Sequence, residues 1–594
     1  MVIGENWVRG FDKPAHWRRW FLLFWAATAI YMLYYKWNAI HWFALSDTDD
    51  NLRFAQVRAL LDGQGWYDLR QHRIDPPNGI SVHWSRLVDL PIAGLILILR
   101  PILGAQDAAR WACAIAPMLA FGAALYGMML TVRRLVDRWS FLLAGAILVC
   151  ATTSMLMWMP LRIDHHGWQL ASLIVTVAGM ADGRKLRGGV TAGLATAFSL
   201  TIGLELLPYL AVAGALIVLW WVIDRDQAER LRGYGLSLAA GAALGYALFA
   251  SYDNRQLLCD ALTPVYLSTL LVTGGLAVAF GSLPFARRWL RIVAALAGGA
   301  AICAGFALAF PQCLGRPEHL SPELYKLWFS HIKEAKPLYQ HGWRIAFPTL
   351  SLSVIGVIGS ASAFWRARGT DKAIPWALVA LLSLFSALLL FWQTRAGPGS
   401  QMLGVIGATA LGWPMLNWTL AHRNLLMRVF GSIAVFLFVS GSFAGIIAQN
   451  VPETRAPYRK RVDMANRRCP TLPALRPIGA LPPATILTFI DLGPRLIATT
   501  HHSAIAGPYH RNGGDILDIQ HSFRATSPEV AHEVMRRHGA SLLLLCPGLS
   551  ESTVYGSEAP KGFYVQLVKG QVPNWLAPVT LPKGSPFKLW RRLN

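Results

Sequence analysis

Apolar stretches long enough to cross a lipid bilayer recur along this chain, and every second gap between them is basic. Thirteen are legible: Trp20–Trp37, Ala109–Met129, Ser140–Met159, Trp168–Met180, Val190–Gly203, Leu206–Ile223, Gly233–Ser251, Thr263–Leu283, Ile292–Phe310, Phe347–Ala363, Ala373–Gln393, Gln401–Trp418 and Val429–Ile447. A segment in hydrocarbon must satisfy its own backbone hydrogen bonds, so each is expected to be a helix, the shorter ones borrowing flanking residues. Composition agrees. The chain is 54% hydrophobic and 15% charged, where a soluble protein is roughly a quarter charged. A soluble enzyme, a disordered chain and a coiled coil are excluded. The net charge of +23 would otherwise suggest nucleic acid, but basic residues between apolar spans set membrane orientation, so no nucleic-acid partner is expected. Seven cysteines show no C-x-x-C spacing and make no disulfide framework, though Cys469 and Cys546 could pair outside the cytoplasm. The apolar run after Arg9, Lys13, Arg18 and Arg19 lacks a small-residue cleavage site and reads as a retained first span.

The basic gaps fix orientation. Arg133/Arg134/Arg138, Arg184/Lys185/Arg187, Arg225/Arg230/Arg232, Arg287/Arg288/Arg291, Arg366/Arg368/Lys372 and Arg423/Arg428 share one side, the cytoplasm, with the N-terminus. The alternation requires Leu87–Leu103, bounded by Asp89 and Pro91 and by Arg100-Pro101, to be an interfacial or re-entrant helix. The expected organisation is a transmembrane body over 1–448 with outer loops at 38–108, 160–167 and 311–346. A linker over 449–483 and a small extracytoplasmic α/β domain over 484–594 follow. In that domain Ala484–Ile490 and Ser541–Cys546 read as strands, Pro528–Arg537 as a helix stopped by Gly539, and Phe563–Val568 as further β pattern. The basic start of the tail (Arg455, Arg459, Lys460, Arg461, Arg467, Arg468) lies on the side where the orientation rule does not expect it. Long domains translocate largely regardless of charge.

This topology gathers ionisable residues at the outer face. Ser46-Asp47-Thr48-Asp49-Asp50-Asn51 places three carboxylates in four residues, which repel one another unless a cation sits among them. In extended chain Asp47 and Asp49 would face one ion together. The same residues could simply cap a helix Leu52–Leu61 that Gly63 stops. In Arg162-Ile163-Asp164-His165-His166, Asp164 and His166 would share a face with His165 pointing away, a donor pair suited to Mn²⁺ or Mg²⁺; a plain polar loop is the alternative. Glu334, in Lys333-Glu334-Ala335-Lys336-Pro337, is either a site acid or a solvated residue at a helix end. Arg395 could snorkel or clamp a phosphate bidentately. Glu205 belongs to the same layer as a cap or acceptor-side group. Ionisable groups at membrane depth are costly, which favours function for the set.

The constellation resembles the catalytic subunit of oligosaccharyltransferases (the PglB/AglB group) within the GT-C glycosyltransferases. The resemblance rests on Asp47-Thr48-Asp49 as the first acidic motif, Asp164-His165-His166 as the second, and Ile332–Pro337 as the segment carrying a Glu before a Pro. It extends to Arg395, and to Phe489-Ile490-Asp491-Leu492-Gly493 with His501–Asn512 in place of the W-W-D-Y-G region. It implies a GT-C fold of about 13 transmembrane helices and a divalent metal, Mn²⁺ or Mg²⁺, held by Asp49, Asp164, His166 and Glu334. Arg395 would contact the lipid pyrophosphate, with Asp47, His165 and Asp491 around the substrates; from the residues themselves, Arg86 is a further candidate beside the phosphate and Glu205 a further substrate-side group. Both tryptophans of W-W-D-Y-G are replaced, which removes the pocket that would read an Asn-X-Ser/Thr acceptor.

The expected activity is an inverting, metal-dependent transfer of a sugar or oligosaccharide from a polyprenyl-(di)phosphate donor to an extracytoplasmic glycan, lipid or protein acceptor. The expected setting is a bacterial inner membrane with the site facing the periplasm. Protein N-glycosylation proper is the nearest rival. A glycan transporter would need two matching halves and charges at the bilayer midplane, and neither is legible here.

Overall fold

The computed structural model describes residues 14–452 and 457–593; Arg9, Lys13 and Arg455 lie outside them. Each of the thirteen apolar stretches is helical, in whole or in large part. Four helices are long and apolar enough to cross a membrane by length and composition: Arg86–Leu135 (with its leading 3₁₀ turn), Pro264–Ser282, Arg288–Ala309 and Trp343–Arg366. A bent pair, Met427–Val439 and Ser442–Asn450, meeting at 87°, makes up to five. Others, such as Leu207–Ile223 and Ala373–Leu389, are apolar but shorter. The chain is a multi-pass membrane protein.

Leu87–Leu103 is a helical segment set off by a kink from the helix that follows it. It opens the helix Asp89–Leu135, which breaks at Gly104 (φ 75°, ψ 169°). A positive φ is open to glycine without a Cβ penalty, so the kink separates the segment from the deeper part of the helix. The bend at 87° has a similar origin, with Gly441 at φ 69° between the paired helices.

The tail folds into a five-stranded sheet of order β2-β1-β3-β5-β4, with β1 Thr485–Leu487, β2 Ser503–Ala504, β3 Ala540–Leu545, β4 Leu576–Pro578 and β5 Lys588–Arg592. β1 runs parallel to β2 and β3, and β5 antiparallel to β3 and β4. Gly539, at φ 61°, ends the helix Glu529–Arg537. Phe563–Val568 is a helix rather than a strand: its buried residues Phe563, Tyr564 and Leu567 recur at helical spacing. The segment read as a linker carries the helices Pro457–Arg468 and Leu472–Gly479 and is tied to the sheet by a Cys469–Cys546 disulfide. A second disulfide joins Cys259 to Cys313.

The tail packs into one apolar core with the outer loops. Leu52, Leu69, Ile74, Val82 and Trp84 of the first loop and Leu324, Trp328 and Phe329 of the later one share a buried cluster with Ile486, Phe489, Phe523 and Leu543. Ile74 bridges Ala504 and continues the sheet beyond β2. Arg495 donates to Asn51 Oδ1 (3.1 Å) and the Phe43 carbonyl (3.0 Å). Arg511 grips Asp260 with two nitrogens, at 2.6 and 2.8 Å. The sheet domain is therefore anchored over one set of helix ends, and the space between them is the site.

Candidate active site

Between the body, the outer loops and the sheet domain lies a cavity of about 1270 Å³. Asp47, Asp49, His165, His166, Glu205, Glu334, Arg395 and Asp491 all line it. Asp164 lies directly behind it, buried.

The acidic wall is built on a helix N-terminus. Asp47, in extended conformation, caps Thr48–Leu61, its Oδ1 accepting from the Thr48 N–H at 2.7 Å. Asp49 and Asp50 then fall in the first helical turn, where the helix dipole favours carboxylates. The extended-chain pairing expected for Asp47 and Asp49 is thus replaced by cap and first turn, and both still face the cavity. Gly63, at φ 102°, lies just past the end of that helix. Arg162 stands among the acids: Nη1 lies 2.6 Å from Asp47 Oδ2 and 3.6 Å from Asp50 Oδ2, and Nη2 lies 2.7 Å from Asp164 Oδ2. Asp50 Oδ1 accepts from the Asp164 N–H (2.9 Å), and Asp164 Oδ1 from the His166 N–H (2.8 Å). Burial, then Asp47 and Asp164, push the Asp49 carboxyl well above its ordinary range. Burial acts the same way on Asp164, but Arg162 and the two histidines outweigh it and hold that carboxyl low. Two neighbouring carboxyls are driven apart in acidity, a pattern typical of working sites.

His165 does not point away. Its Nε2 donates to Glu205 Oε1 (2.8 Å), while Nδ1 faces Arg53 Nη2 at 3.5 Å. Because a guanidinium can only donate, Nδ1 is the acceptor and the ring proton sits on Nε2. Glu205 also receives His83 Nε2 (3.2 Å) and Gln169 Nε2 (2.7 Å). Burial would raise its pKa, but the His165 and His83 contacts hold it well below the usual range.

Across the cavity, Glu334 sits in a 3₁₀ turn Lys333–Ala335 and accepts from Arg395 Nη2 at 2.7 Å. Thr394 donates through its N–H and its hydroxyl to the Lys336 carbonyl, so the two short segments are tied together. Arg316, Lys333 and Lys336 make this the cationic wall. On the sheet domain, Asp491 opens onto the cavity, and Glu551 accepts from the N–H groups of Ile490 (3.0 Å) and Asp491 (2.8 Å). Burial, then Asp47, push Asp491 up to about 6; burial, then Asp491, push Glu551 up to about 8.

Arg86 is placed elsewhere. It is buried, donating to the carbonyls of Gly65, Trp66 and Asp68, and its role is to fasten the first loop. From His83-Trp84-Ser85-Arg86 the residues that reach the cavity are His83 and Trp84. Sequence reasoning also missed Asp260 and His510 (Nε2 to Oδ2, 2.6 Å), which line the cavity from segments 250 residues apart.

Among the described residues, the ligand atoms in this cavity that all lie within 4.8 Å of one another belong to His83, His165 and Glu205. Asp49, Asp164, His166 and Glu334 form no such closed set; Arg162 engages Asp164 and Arg395 engages Glu334, each at 2.7 Å. Their chemistry nevertheless fits a hard divalent ion: the side chains of Asp49 and His166 carry no hydrogen bond among the described residues, and Asp50 Oδ2 is buried without one.

No family model and no curated protein matches the chain by sequence. Solved structures do match it. The oligosaccharyltransferase AglB of Archaeoglobus fulgidus, in complex with an inhibitory peptide and a dolichol-phosphate, superposes with a TM-score of 0.66 at 12% identity, over 92% of this chain and 72% of that one. The fold is GT-C. The A. fulgidus enzyme tethered to an acceptor peptide containing an NVT sequon gives 0.65 at 13% identity, over 93% and 72% of the two chains. Its complex with Zn and sulfate gives 0.58 at 12%, over 88% and 67%. At such identities the likeness establishes the GT-C fold, while function rests on the site.

Proposed function

We propose that this protein is an integral-membrane glycosyltransferase that moves a sugar or oligosaccharide from a polyprenyl-(di)phosphate donor to an acceptor outside the cytoplasm. The observation that carries the reading is the meeting, around one cavity beside the bilayer, of Asp49, His166, Glu334 and Arg395 from positions up to about 350 residues apart. A donor with a polyprenyl tail accounts for a sugar-handling site built on a membrane body. The A. fulgidus complex with a dolichol-phosphate supports the same donor class.

In this reading the cationic wall takes the donor phosphate. Arg395, steered by Glu334, offers a planar pair of donors to phosphate oxygens. Lys333 and Lys336 add charge that stabilises the departing group. A divalent ion, Mn²⁺ or Mg²⁺, held by Asp49, Asp164, His166 and Glu334, would neutralise negative charge developing on that phosphate. Arg162 keeps the crowded carboxylates of the acidic wall together, and a carboxylate among them would orient the acceptor nucleophile or take its proton. The 311–346 segment closes the donor side, and its ordering gates the reaction. Displacement by an acceptor entering from the opposite wall gives inversion. About thirteen spans, with the cavity facing the periplasm of a bacterial inner membrane, complete the picture. The two disulfides support an oxidising side for the loops and tail.

A peptide sequon as acceptor is disfavoured. Where the resemblance would place two tryptophans, Phe489 and Ile490 are buried in the core of the sheet domain. The test is transfer from a polyprenyl-linked donor by purified protein, with and without chelator. Asp49→Ala, Asp164→Ala and Glu334→Ala are expected to abolish transfer at normal expression. Full activity in all three would remove the reading.

A further inference from the structure

The basic start of the tail is the feature that the donor chemistry leaves unused. It forms the helix Pro457–Arg468, which carries Arg459, Lys460, Arg461, Arg467 and Arg468 against a single acid, Asp463, in its sequence. One side of the helix is fastened to the sheet domain. Ala465 is buried, Asn466 exchanges hydrogen bonds with Ser550 (2.6 and 3.0 Å), Arg468 donates to the Gly584 carbonyl (2.9 Å), and Cys469 is disulfide-bonded to Cys546. The other side is exposed. Lys460, Arg461 and Arg467 make no hydrogen bond or ion pair among the described residues. A rigid helix that holds like charges outward maintains a fixed positive field, which attracts anions.

Its position says which anions. The helix borders the catalytic cavity on the side of Asp491 and Glu551, through Tyr458, Arg459, Val462, Asp463 and Asn466. A second, open cavity of about 320 Å³ lies along its outer face, lined by Lys460, Asp463, Met464, Arg467 and Arg468. Asp463 lines both, so the two spaces adjoin. Arg395, Lys333 and Lys336, which we assign to the donor phosphate, belong to other segments of the cavity wall. The wall beside the helix carries amide, hydroxyl and carboxylate groups (Asn466, Ser550, Thr553, Asp491) and a largely exposed ring, Tyr458, 57% accessible, interspersed with Val462, Ile490 and Val554. The polar groups suit the hydroxyls of sugars, and the ring and the apolar side chains suit their flat faces. The helix itself is too polar to bury in a bilayer.

The geometry points to the helix Pro457–Arg468 as an acceptor-docking surface for an anionic saccharide, whose phosphate or carboxylate groups rest on Lys460, Arg461 and Arg467 while its hydroxyls enter past Tyr458 toward Asp491. This assigns the acceptor class of the transferase proposed above and rests on that reading for its purpose. Binding can be measured whether or not transfer occurs.

The experiment uses the full chain in nanodiscs of zwitterionic lipid. Fluorescence anisotropy compares a carboxylated or phosphorylated oligosaccharide, a neutral one of the same length and an acidic peptide of the same charge. The anionic saccharide is expected to bind about tenfold or more tightly than the neutral one, with the advantage shrinking as salt rises. Lys460→Gln/Arg461→Gln/Arg467→Gln should remove that advantage while leaving the unfolding midpoint and donor binding unchanged. Equal binding of charged and neutral saccharides, or a preference that survives the triple variant, would overturn the proposal. An acidic peptide that binds as well as the saccharide would overturn the saccharide assignment. A preference that appears only when anionic lipid is added would make the helix a membrane contact instead. Absence of transfer by wild-type protein that still binds the anionic saccharide selectively would count against the catalytic reading alone.

Discussion

Two arginine–carboxylate clusters lie side by side in this protein, and they do different work. In one, Arg53 Nη1 meets Asp89 Oδ1 at 2.8 Å and Arg86 approaches Asp89 Oδ2 at 3.6 Å, with the side chains 0–2% exposed. In the other, Arg162 contacts Asp47, Asp50 and Asp164 at the edge of the cavity. The first has two cations for one anion and is sealed by Trp84, over which the Arg53 guanidinium sits 4.9 Å from the ring centroid. The second has three anions contacting one cation and is open. A sealed cluster whose guanidiniums also donate to loop carbonyls fixes loop geometry. An open one with surplus carboxylates has capacity left for a substrate or an ion. Arg53 links the two, since its second nitrogen faces His165 and sets that ring's tautomer.

The sharpest break of this comparison is Asp49→Asn. It changes the carboxyl that borders the open cluster without pairing to Arg162, so transfer should fall at least about a thousandfold with no loss of folded protein. Thermal unfolding alongside turnover in detergent checks this, and a variant that kept most of its activity would place the chemistry elsewhere. Asp89→Asn is the converse. Leaving Arg53 and Arg86 buried without their partner should cost about 3–5 kcal/mol of stability, read as a lowered unfolding midpoint and poor yield. An unchanged midpoint would mean that the sealed cluster is not the fastening inferred for it. Third comes Arg395→Lys. It keeps the charge but loses the planar pair of donors, and should slow transfer about 10- to 100-fold with a raised KM for the donor and normal stability. An effect on acceptor KM alone would move Arg395 to the other wall.

How much of this was legible in the sequence follows from the range of the forces involved. A membrane helix satisfies its backbone locally and shows its apolar surface to lipid, so thirteen helical segments could be read without knowing any partner. The acids at 47–50 and 164, Glu205, Glu334 and Arg395 were legible because charge at a membrane rim is costly wherever it pairs. The pairings were not. Nothing in His83-Trp84-Ser85-Arg86 says that the first residue faces the cavity and the last is buried, because that depends on Glu205 and on the carbonyls of Gly65 and Trp66. Asp260 and His510 are ordinary residues until the sheet domain is set against the loop that carries Cys259. Phe563–Val568 misled because a short apolar run fits strand or helix until its neighbours decide which residues are buried.

The smallest effect is expected at the joint between the first outer loop and the sheet domain, where a third charged cluster tests what a half-open one does. His538 lies between Asp75 (Nδ1 to Oδ1, 3.2 Å) and Asp518 (Nε2 to Oδ2, 2.8 Å), with Asp515 at 3.9 Å and Arg537 bound to Asp518. The Asp518 hydrogen bond raises the imidazole pKa, and burial, then Asp75, push Asp515 up to about 6. A raised histidine contributes stability that is complete below its unfolded pKa of about 6.5 and is lost as pH rises through the folded value. The raised Asp515 acts in the same direction, since its ionisation near pH 6 is disfavoured in the folded state. Asp518 is lowered, so its contribution is lost only in stronger acid. Between pH 5.5 and 8 the joint should therefore weaken, by about 1 kcal/mol for a partly exposed cluster. The amides to follow are those of Asp75 and Ala504, which cross the joint to the Ala504 and Arg73 carbonyls, each at 2.9 Å. Their hydrogen-exchange protection, corrected for intrinsic rates, should be severalfold higher at pH 5.5 than at pH 8 in the wild type. His538→Gln should flatten that dependence. Equal protection at both pH values would make the cluster as inert as the sealed one at Asp89.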